Sequence, residues 1–264
     1  MKLKLSIAIL FLIVSCQKKE VNTDINQNIN RDYYQLKIYT LQNDEQVATT
    51  DTYLKQSYIP SSKKYGIKNI GVFKLRTSET DTIQKIVVLT PFSSLNEIES
   101  LENKLLNDQS YLTTGAAYIN ANHDNPPYQR VQTILLKAFE DMPVLKPSKL
   151  DGPREDRIYE LRSYLSSTEA IYRNKVDMFN AGGEINLFEK LNFNAVFYGE
   201  VISGPNMPNL MYMTTHKNQE TRDENWKNFG NSSEWKEMSS LEKYQNNVSH
   251  IDIDFLYPTE YSDY

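Results

Sequence analysis

The chain has 264 residues, of which 39% are hydrophobic and 11% are aromatic, so it can bury a substantial core and is not intrinsically disordered. Its formal net charge of −5 argues against nucleic acid as a partner, because proteins that bind nucleic acid present basic surfaces. The single cysteine excludes a disulfide within the chain, so packing alone has to hold the fold together.

Residues 1–15 have the layout of a signal peptide, with two early lysines followed by a short apolar run. The run is too short to cross a membrane as a helix, which takes about 20 residues. Residues 13–16, Ile-Val-Ser-Cys, resemble the lipobox of bacterial lipoproteins. This resemblance implies cleavage before Cys16 and attachment of lipid to that cysteine. The alternative is an ordinary secretory signal with an incidental cysteine.

The lipobox also implies where in the cell the protein is located. Lipid on Cys16 would anchor the protein to a membrane of the bacterial cell envelope, with the folded part facing the periplasm or the cell surface. Residues 16–31 are polar and rich in asparagine, so we expect them to form a flexible tether between the lipid and the folded part.

Residues 32–142 are predicted to form a first α+β unit. Its elements are a strand (34–41), a helix (44–65) that Pro60 should kink or interrupt, a hairpin of two strands (68–77 and 83–90), a helix capped by Ser94 and Glu97, a short helix and loop (107–127), and a last strand (128–139). This order of strands and helices is the ferredoxin-like pattern. Residues 143–156 contain three prolines and a glycine, and are predicted to be a linker.

Residues 157–264 are predicted to repeat this order. The elements are a strand (157–164), a helix with a second capping box at Ser166 and Glu169, two strands (194–202 and 209–215), two helices that carry Trp226 and Trp235, and a final strand (248–257). The first strands of the two units correspond at one constant offset, which pairs Tyr34 with Tyr159, Leu36 with Leu161, Lys37 with Arg162, and Tyr39 with Tyr164. The chain is therefore predicted to be a tandem repeat.

Several segments of the second unit resemble the NIPSNAP family. They are residues 158–164 (Ile-Tyr-Glu-Leu-Arg-Ser-Tyr), 179–185 (Phe-Asn-Ala-Gly-Gly-Glu-Ile), 197–200 (Phe-Tyr-Gly-Glu), 204–213 (Gly-Pro-Asn-Met-Pro-Asn-Leu-Met-Tyr-Met), and Trp226 with Trp235. The first unit resembles the family more loosely, through residues 34–39, Gly66 with Gly71, and 135–143. The resemblance implies an α+β fold in which two ferredoxin-like repeats pack sheet against sheet as a dimeric α/β-barrel within one chain. It implies no reaction mechanism.

The strand over residues 157–164 supplies the first candidate site residues. Because successive side chains of a strand point to opposite faces, Glu160, Arg162 and Tyr164 share one face, and Tyr159 and Leu161 share the other. If helices cover the face with Tyr159, the charged face lines the barrel interior, and the next two strands add further polar groups. The candidate pocket then consists of Glu160, Arg162, Tyr164, Tyr198, Glu200 and Tyr212.

Two interpretations of these residues stay open. In the first, Arg162 binds an anionic group, and Tyr164, Tyr198 and Tyr212 supply aromatic walls around a small ligand. In the second, the same groups form a satisfied polar network between the sheets, because buried charges have to be paired.

The sequence contains no recognisable catalytic or metal-binding motif. The histidines His123, His216 and His250 lack the short spacings of a zinc site, and there is no Gly-x-Ser-x-Gly elbow or phosphate-binding glycine loop. The final strand does place His250, Asp252 and Asp254 on one face. We therefore predict no metal and no cofactor, and assign no catalytic residue.

Two functions remain open. The first, which we favour, is a membrane-anchored lipoprotein that binds a small molecule or another protein and that could form homo-oligomers. The second is an oxidoreductase of the dimeric α/β-barrel type that works without a cofactor or with haem, a hypothesis that depends on analogy of fold.

Overall fold

The computed structural model of the protein describes residues 30–76 and 83–264. The predicted signal peptide, Cys16 and nearly all of the predicted tether lie outside the described residues, as does the turn of the first predicted hairpin. Across the two described ranges, no helix is both long enough and apolar enough to cross a membrane.

The described residues of the first half alternate between sheet and helix. They form β1 (Tyr33–Leu41), α1 (Asp44–Tyr53), α2 (Ile59–Lys64), β2 (Gly71–Leu75), β3 (Gln84–Phe92), α3 (Leu95–Leu106), α4 (Gln109–Thr114), α5 (Ala116–Ile119) and β4 (Arg130–Ala138). The second half forms β5 (Ile158–Leu165), α6 (Glu169–Phe179), α7 (Glu184–Lys190), β6 (Ala195–Ser203), β7 (Asn209–His216), α8 (Gln219–Asn231), α9 (Ser233–Ser240) and β8 (His250–Pro258).

The described strands close into an antiparallel barrel in the order β1-β3-β2-β8-β5-β7-β6-β4, with β4 returning to β1. Strands of the first half occupy the consecutive positions β4-β1-β3-β2, and strands of the second half occupy β8-β5-β7-β6. Two short ladders join the halves, one between β2 and β8 and the other between β4 and β6. The predicted α+β class is confirmed by this barrel and its helices, and closing the sheet removes its free edges.

Apolar side chains from both halves fill the barrel interior. Tyr34 and Leu36 of β1 meet Tyr159 and Leu161 of β5 in this core. The outer face of each half packs against helices of the same half, in separate apolar clusters. Because side chains alternate along each strand, the sheet has two buried faces, one inside the barrel and one under the helices.

The first helix continues past Pro60, so the predicted interruption does not occur, although a π-helical turn directly precedes the residues around the proline. Residues 54–58 form a π-helical turn between α1 and α2, and the amide of Ile59 donates to the carbonyl of Leu54. A proline within a regular α-helix lacks a donor and clashes with the preceding turn. The wider π-helical turn accommodates the proline without ending the helix.

One of the two predicted helix caps was wrong. Helix α6 begins after Thr168, whose Oγ1 accepts a hydrogen bond from the amide of Ile171 at 3.3 Å. Ser166 follows the end of β5 directly, and its hydroxyl donates to the carbonyl of Asn247 at 2.6 Å. Ser166 therefore forms a hydrogen bond to a residue distant in sequence instead of the predicted helix cap. The other predicted cap, Ser94, is confirmed.

Candidate functional site

Strand β5 turns its charged face outward, toward helix α8, and not into the barrel. Tyr159 and Leu161 lie in the interior core, whereas Glu160 contacts Arg222 and Trp226 of α8. A closed barrel of this size fills its interior with side chains, here largely apolar ones, while α8 supplies the cation and the indole N–H that a buried carboxylate requires. The prediction that the charged face lines the barrel interior was therefore wrong for Glu160, Arg162 and Tyr164.

The carboxylate of Glu160 is fully buried and accepts hydrogen bonds from two arginines and a tryptophan. Arg162 Nε donates to Oε1 at 2.6 Å, and Arg222 donates through Nη2 to Oε1 and through Nε to Oε2, both at 2.8 Å. Trp226 Nε1 donates to Oε2 at 2.9 Å. Burial raises the pKa of Glu160, but these donors and charges outweigh burial, so the pKa lies below its usual range.

Arg162 extends this arrangement along the strand. Its guanidinium lies over the indole of Trp226, 3.9 Å from the ring centre, and its Nη1 donates to the Tyr164 hydroxyl at 3.0 Å. Tyr212 donates its hydroxyl to the same tyrosine oxygen at 2.8 Å. We call this connected group the Glu160 cluster, and it consists of Glu160, Arg162, Tyr164, Tyr212, Arg222 and Trp226. The mutual pairing of its buried polar groups favours the network interpretation for these residues.

Glu200 lies apart from the Glu160 cluster. Its carboxylate accepts hydrogen bonds from Arg31 at 2.5 Å and from the Tyr172 hydroxyl at 3.4 Å. In the sheet, β7 separates β6 from β5, and Glu200 is level with Tyr164. The expectation that Glu160 shares a pocket with Glu200 was therefore wrong. The two residues are two strands apart, at about 4.8 Å for each step, and they also differ in position along the strands.

A buried ion pair that the sequence reasoning missed joins α6 to α7. Lys175 Nζ lies 2.7 Å from Glu184 Oε2, and the two side chains are only 4% and 2% exposed. The ammonium also lies 4.5 Å from the ring centre of Phe179. Burial raises the pKa of Glu184, with the charge of Lys175 acting in the opposite direction. One feature of the sequence indicated this ion pair. Glu184 is a carboxylate that directly follows two glycines and begins an apolar helix.

Tyr198 belongs to the wall of a groove on the outer side of β6. The groove has a volume of about 640 Å³ and runs between residues 141–149, helix α7 and the start of β6. We call it the Tyr198 groove. The side chain of Tyr198 is 1% exposed, and its hydroxyl is buried without a hydrogen-bond partner among the described residues. This candidate residue therefore differs from Tyr164 and Tyr212, whose hydroxyls are paired.

Among the described residues, no group of three or more His, Cys, Asp or Glu side chains could hold a metal ion. His216 is buried, and its ring nitrogens lie 3.3 Å from Thr214 Oγ1 and 3.2 Å from Asn225 Nδ2. Burial lowers the pKa of His216 to about 4, so the ring is neutral at pH 7. His216 is therefore a neutral, hydrogen-bonded residue of the helix–sheet layer.

Comparison with known proteins gives a family match in the second half and a fold match for the whole barrel. A model of the NIPSNAP family matches residues 159–263. A candidate monooxygenase from Lactobacillus acidophilus superposes over 86% of this chain and 94% of its own, with 11% identity and a TM-score of 0.55. A candidate monooxygenase from Fusobacterium nucleatum superposes over 87% of this chain and 93% of its own, with 10% identity and a TM-score of 0.51. A NIPSNAP-like domain protein from Burkholderia xenovorans superposes over 41% of this chain and 90% of its own, with 18% identity and a TM-score of 0.38. No curated protein matches the chain in sequence.

Proposed function

We propose that this protein, whose residues 159–263 belong to the NIPSNAP family, binds a small molecule with an apolar part and an acceptor group in the Tyr198 groove. The observation that carries the proposal is the Tyr198 hydroxyl, which is buried without a hydrogen-bond partner among the described residues. A buried hydroxyl in this state is unfavourable, and a ligand group that bonds to it would remove the penalty. The groove volume of about 640 Å³ is within the range of small-molecule sites, about 300–1,000 Å³.

The surroundings of Tyr198 determine which kind of molecule fits. Its ring is nearly parallel to that of Phe139, with 6.1 Å between the ring centres, so its position is fixed by packing. Met142, Leu145 and Ile185 are buried and give the groove apolar surface. Charged residues also line the groove, namely Asp141, Lys146, Lys149 and Glu189. Burial, followed by the charges of nearby carboxylates, raises the pKa of Tyr198 well above its usual value. The hydroxyl is therefore a neutral donor, and it suits an apolar ligand that carries one acceptor group.

Tyr198→Phe is expected to weaken the binding of anilinonaphthalene sulfonate, an apolar probe with an acceptor group, by about 2- to 10-fold. This range corresponds to the loss of one hydrogen bond. The same substitution is expected to leave the free energy of unfolding unchanged or to raise it, because the hydroxyl has no hydrogen-bond partner to lose among the described residues. Fluorescence titration with the probe and urea denaturation measure the two quantities.

Tyr212→Phe is the matched control for this prediction. Its buried hydroxyl donates to Tyr164, and Tyr212 is not among the residues that line the groove. This substitution is expected to lower the free energy of unfolding by about 1 kcal/mol while leaving probe affinity unchanged. Failure of the probe to bind the unsubstituted protein, or equal affinity for that protein and Tyr198→Phe, would count against the proposal.

We also propose that each half of the barrel is one ferredoxin-like repeat, over residues 32–142 and 157–264. The identical arrangement of strands in the two halves, β4-β1-β3-β2 and β8-β5-β7-β6, supports this division. Residues 143–156, all of which are described, contain no helix or strand, as suits a linker between repeats.

We propose from residues 13–16 of the sequence that lipid on Cys16 anchors the protein to a membrane. We expect the full chain expressed in a bacterial host to partition into the detergent phase of a phase-separating nonionic detergent. Cys16→Ala should move it to the aqueous phase, because the substitution removes the sulfur that would carry the lipid. Ser6→Ala, which leaves the lipobox intact, should partition like the unsubstituted chain. Detergent partitioning of Cys16→Ala would show that lipid on this cysteine is not the anchor.

The oxidoreductase alternative is supported by the fold that this chain shares with the two candidate monooxygenases. Its haem-dependent form does not fit the histidines of the described residues. His216 is buried with both ring nitrogens already within hydrogen-bond distance of protein groups, and His123 and His250 are exposed. None of the three lines the Tyr198 groove. We therefore place ligand binding ahead of haem chemistry.

A further inference from the structure

One end of the barrel interior is polar, in contrast to the apolar core. A cavity of about 400 Å³ opens there, and we call it the barrel mouth. Its lining includes Lys85, Arg130, Ser163, Asn209, Asp252 and Asp254. Asp252 and Asp254 are in register with the interior-facing Ser163 and Leu161 of β5. The barrel mouth therefore lies on the opposite face of the sheet from the Glu160 cluster and the Tyr198 groove.

Charges of both signs face each other across the barrel mouth. Lys85 and Arg130 come from the first half, where each is in register with Thr40 of β1. Asp252 and Asp254 come from β8 of the second half. Lys85 Nζ lies 3.4 Å from Asp254 Oδ1, so this pair already links the two sides of the cavity.

The two remaining charges are placed to bind a ligand. In the part of the chain that the structure describes, Arg130 has no carboxylate partner, and its Nη1 donates to the backbone carbonyl of Gln129 at 2.7 Å. Asp252 is contacted by the exposed ring of His250 at 3.0 Å. Strands β4 and β8, which carry Arg130 and Asp252, are four positions apart in either direction around the barrel. The cation and the anion therefore belong to opposite walls.

Asn209 of β7 adds a buried oxygen atom that has no hydrogen-bond partner in the described parts of the chain. Its side chain is 3% exposed, and its Nδ2 donates to Ser163 Oγ at 2.9 Å. Its Oδ1 is buried and accepts no hydrogen bond from the described residues. Most buried side-chain polar atoms in folded proteins have a hydrogen-bond partner. Because Ser163 is in register with Asp252, an N–H donor bound at this oxygen would also lie near a carboxylate.

We propose that the barrel mouth binds a small zwitterion of the free amino acid class. The carboxylate binds Arg130, and the ammonium binds between Asp252 and the Oδ1 of Asn209. A cation and an anion on opposite walls match a ligand that carries both a carboxylate and an ammonium, whereas a ligand of a single charge would leave either the cation or the anion unpaired. The volume of about 400 Å³ is within the range of small-molecule sites.

The proposal is tested by isothermal titration calorimetry of the purified protein with each of the common L-amino acids. For the tightest binder, the N-acetyl and the carboxamide derivatives are then titrated, since each lacks one of the two charges. We expect at least one amino acid to bind and both derivatives to bind about tenfold more weakly or worse, because each loses a charge-assisted hydrogen bond. This comparison uses the unsubstituted protein and does not depend on any variant folding.

Arg130→Gln and Asp252→Asn are expected to weaken amino acid binding by a similar factor, since each removes one of the two charges. Both residues are exposed, so the variants are expected to fold. Arg173→Gln is the matched control, because Arg173 is an exposed residue of α6 that lies 3.9 Å from Glu169 and is outside the barrel mouth. The proposal is overturned if no amino acid binds, if the derivatives bind as tightly as the parent, or if a crystal structure grown with the amino acid shows only water at Asn209.

Discussion

Glu160→Gln is expected to lower the free energy of unfolding by about 3–5 kcal/mol. The substitution removes the charge that Arg162 and Arg222 share, and it leaves two guanidinium groups close together in a largely buried site. An amide also cannot accept all of the hydrogen bonds that the carboxylate accepts from the arginines and from Trp226. Urea denaturation at pH 7, followed by tryptophan fluorescence and by circular dichroism, measures the change.

Glu169→Gln is the matched control for this experiment. Glu169 is also a glutamate of the second half, but its side chain is 83% exposed and it lies 3.9 Å from Arg173 on the surface of α6. An exposed pair of this kind contributes little, so we expect a change below about 1 kcal/mol. If Glu160→Gln also changes stability by less than about 1 kcal/mol, the Glu160 cluster does not hold α8 to the sheet as the structure indicates.

Lys175→Met is expected to lower the free energy of unfolding by about 3–5 kcal/mol at neutral pH, because it leaves the carboxylate of Glu184 buried without its cation. The double variant Lys175→Met/Glu184→Gln removes both charges, and we expect it to recover much of the lost stability. Urea denaturation of the unsubstituted protein, Lys175→Met, Glu184→Gln and the double variant completes a thermodynamic cycle. A double variant as unstable as Lys175→Met would show that packing of the lysine, and not its charge, is responsible.

The Lys175→Met loss should also depend on pH in a defined direction. Burial raises the pKa of Glu184, and removing Lys175 takes away the charge that opposes this effect. The folded state then binds a proton at pH values where the unfolded chain, with a glutamate pKa of about 4.3, has lost it. Because the folded state binds more protons in this window, the free energy of unfolding should fall as the pH rises above about 4. A loss that is constant from pH 4 to pH 8 would contradict this account.

Strand positions were predictable from the sequence because period-two alternation and turn residues are local signals. Alternation also showed correctly that Glu160, Arg162 and Tyr164 share a face. It could not show which face is inside the barrel, because both faces of the sheet are buried and the deciding contact comes from a distant helix. Arg222 and Trp226 are four residues apart on α8, so they lie on the same side of that helix. This pair of donors on one side of α8 was the sequence signal that the helix packs against a buried carboxylate, which is Glu160.

The unpaired polar atoms of Tyr198 and Asn209, which belong to a larger set of such atoms among the described residues, could not be predicted from the sequence at all. Tyr198 and Tyr212 look alike on neighbouring strands, yet in the described structure only the Tyr212 hydroxyl has a hydrogen-bond partner, because Tyr164 is beside it in three dimensions. Asn209 was considered only as the start of a strand. Its unpaired oxygen becomes visible only when the barrel closes and Ser163 takes its amide group. Whether a buried polar atom has a hydrogen-bond partner depends on tertiary structure, so no periodicity or motif in the sequence predicts it.

The joining of both halves in one chain has a consequence for symmetry. A barrel assembled from two identical chains must repeat every feature of one half in the other. Here β5 carries Glu160, Arg162 and Tyr164 under its helices, whereas the equivalent positions of β1 carry Gln35, Lys37 and Tyr39. The second half thus holds a buried carboxylate between two arginines, whereas the equivalent position of the first half holds the neutral Gln35. Covalent linkage permits this divergence, so that each half can specialise for a separate task without altering its counterpart.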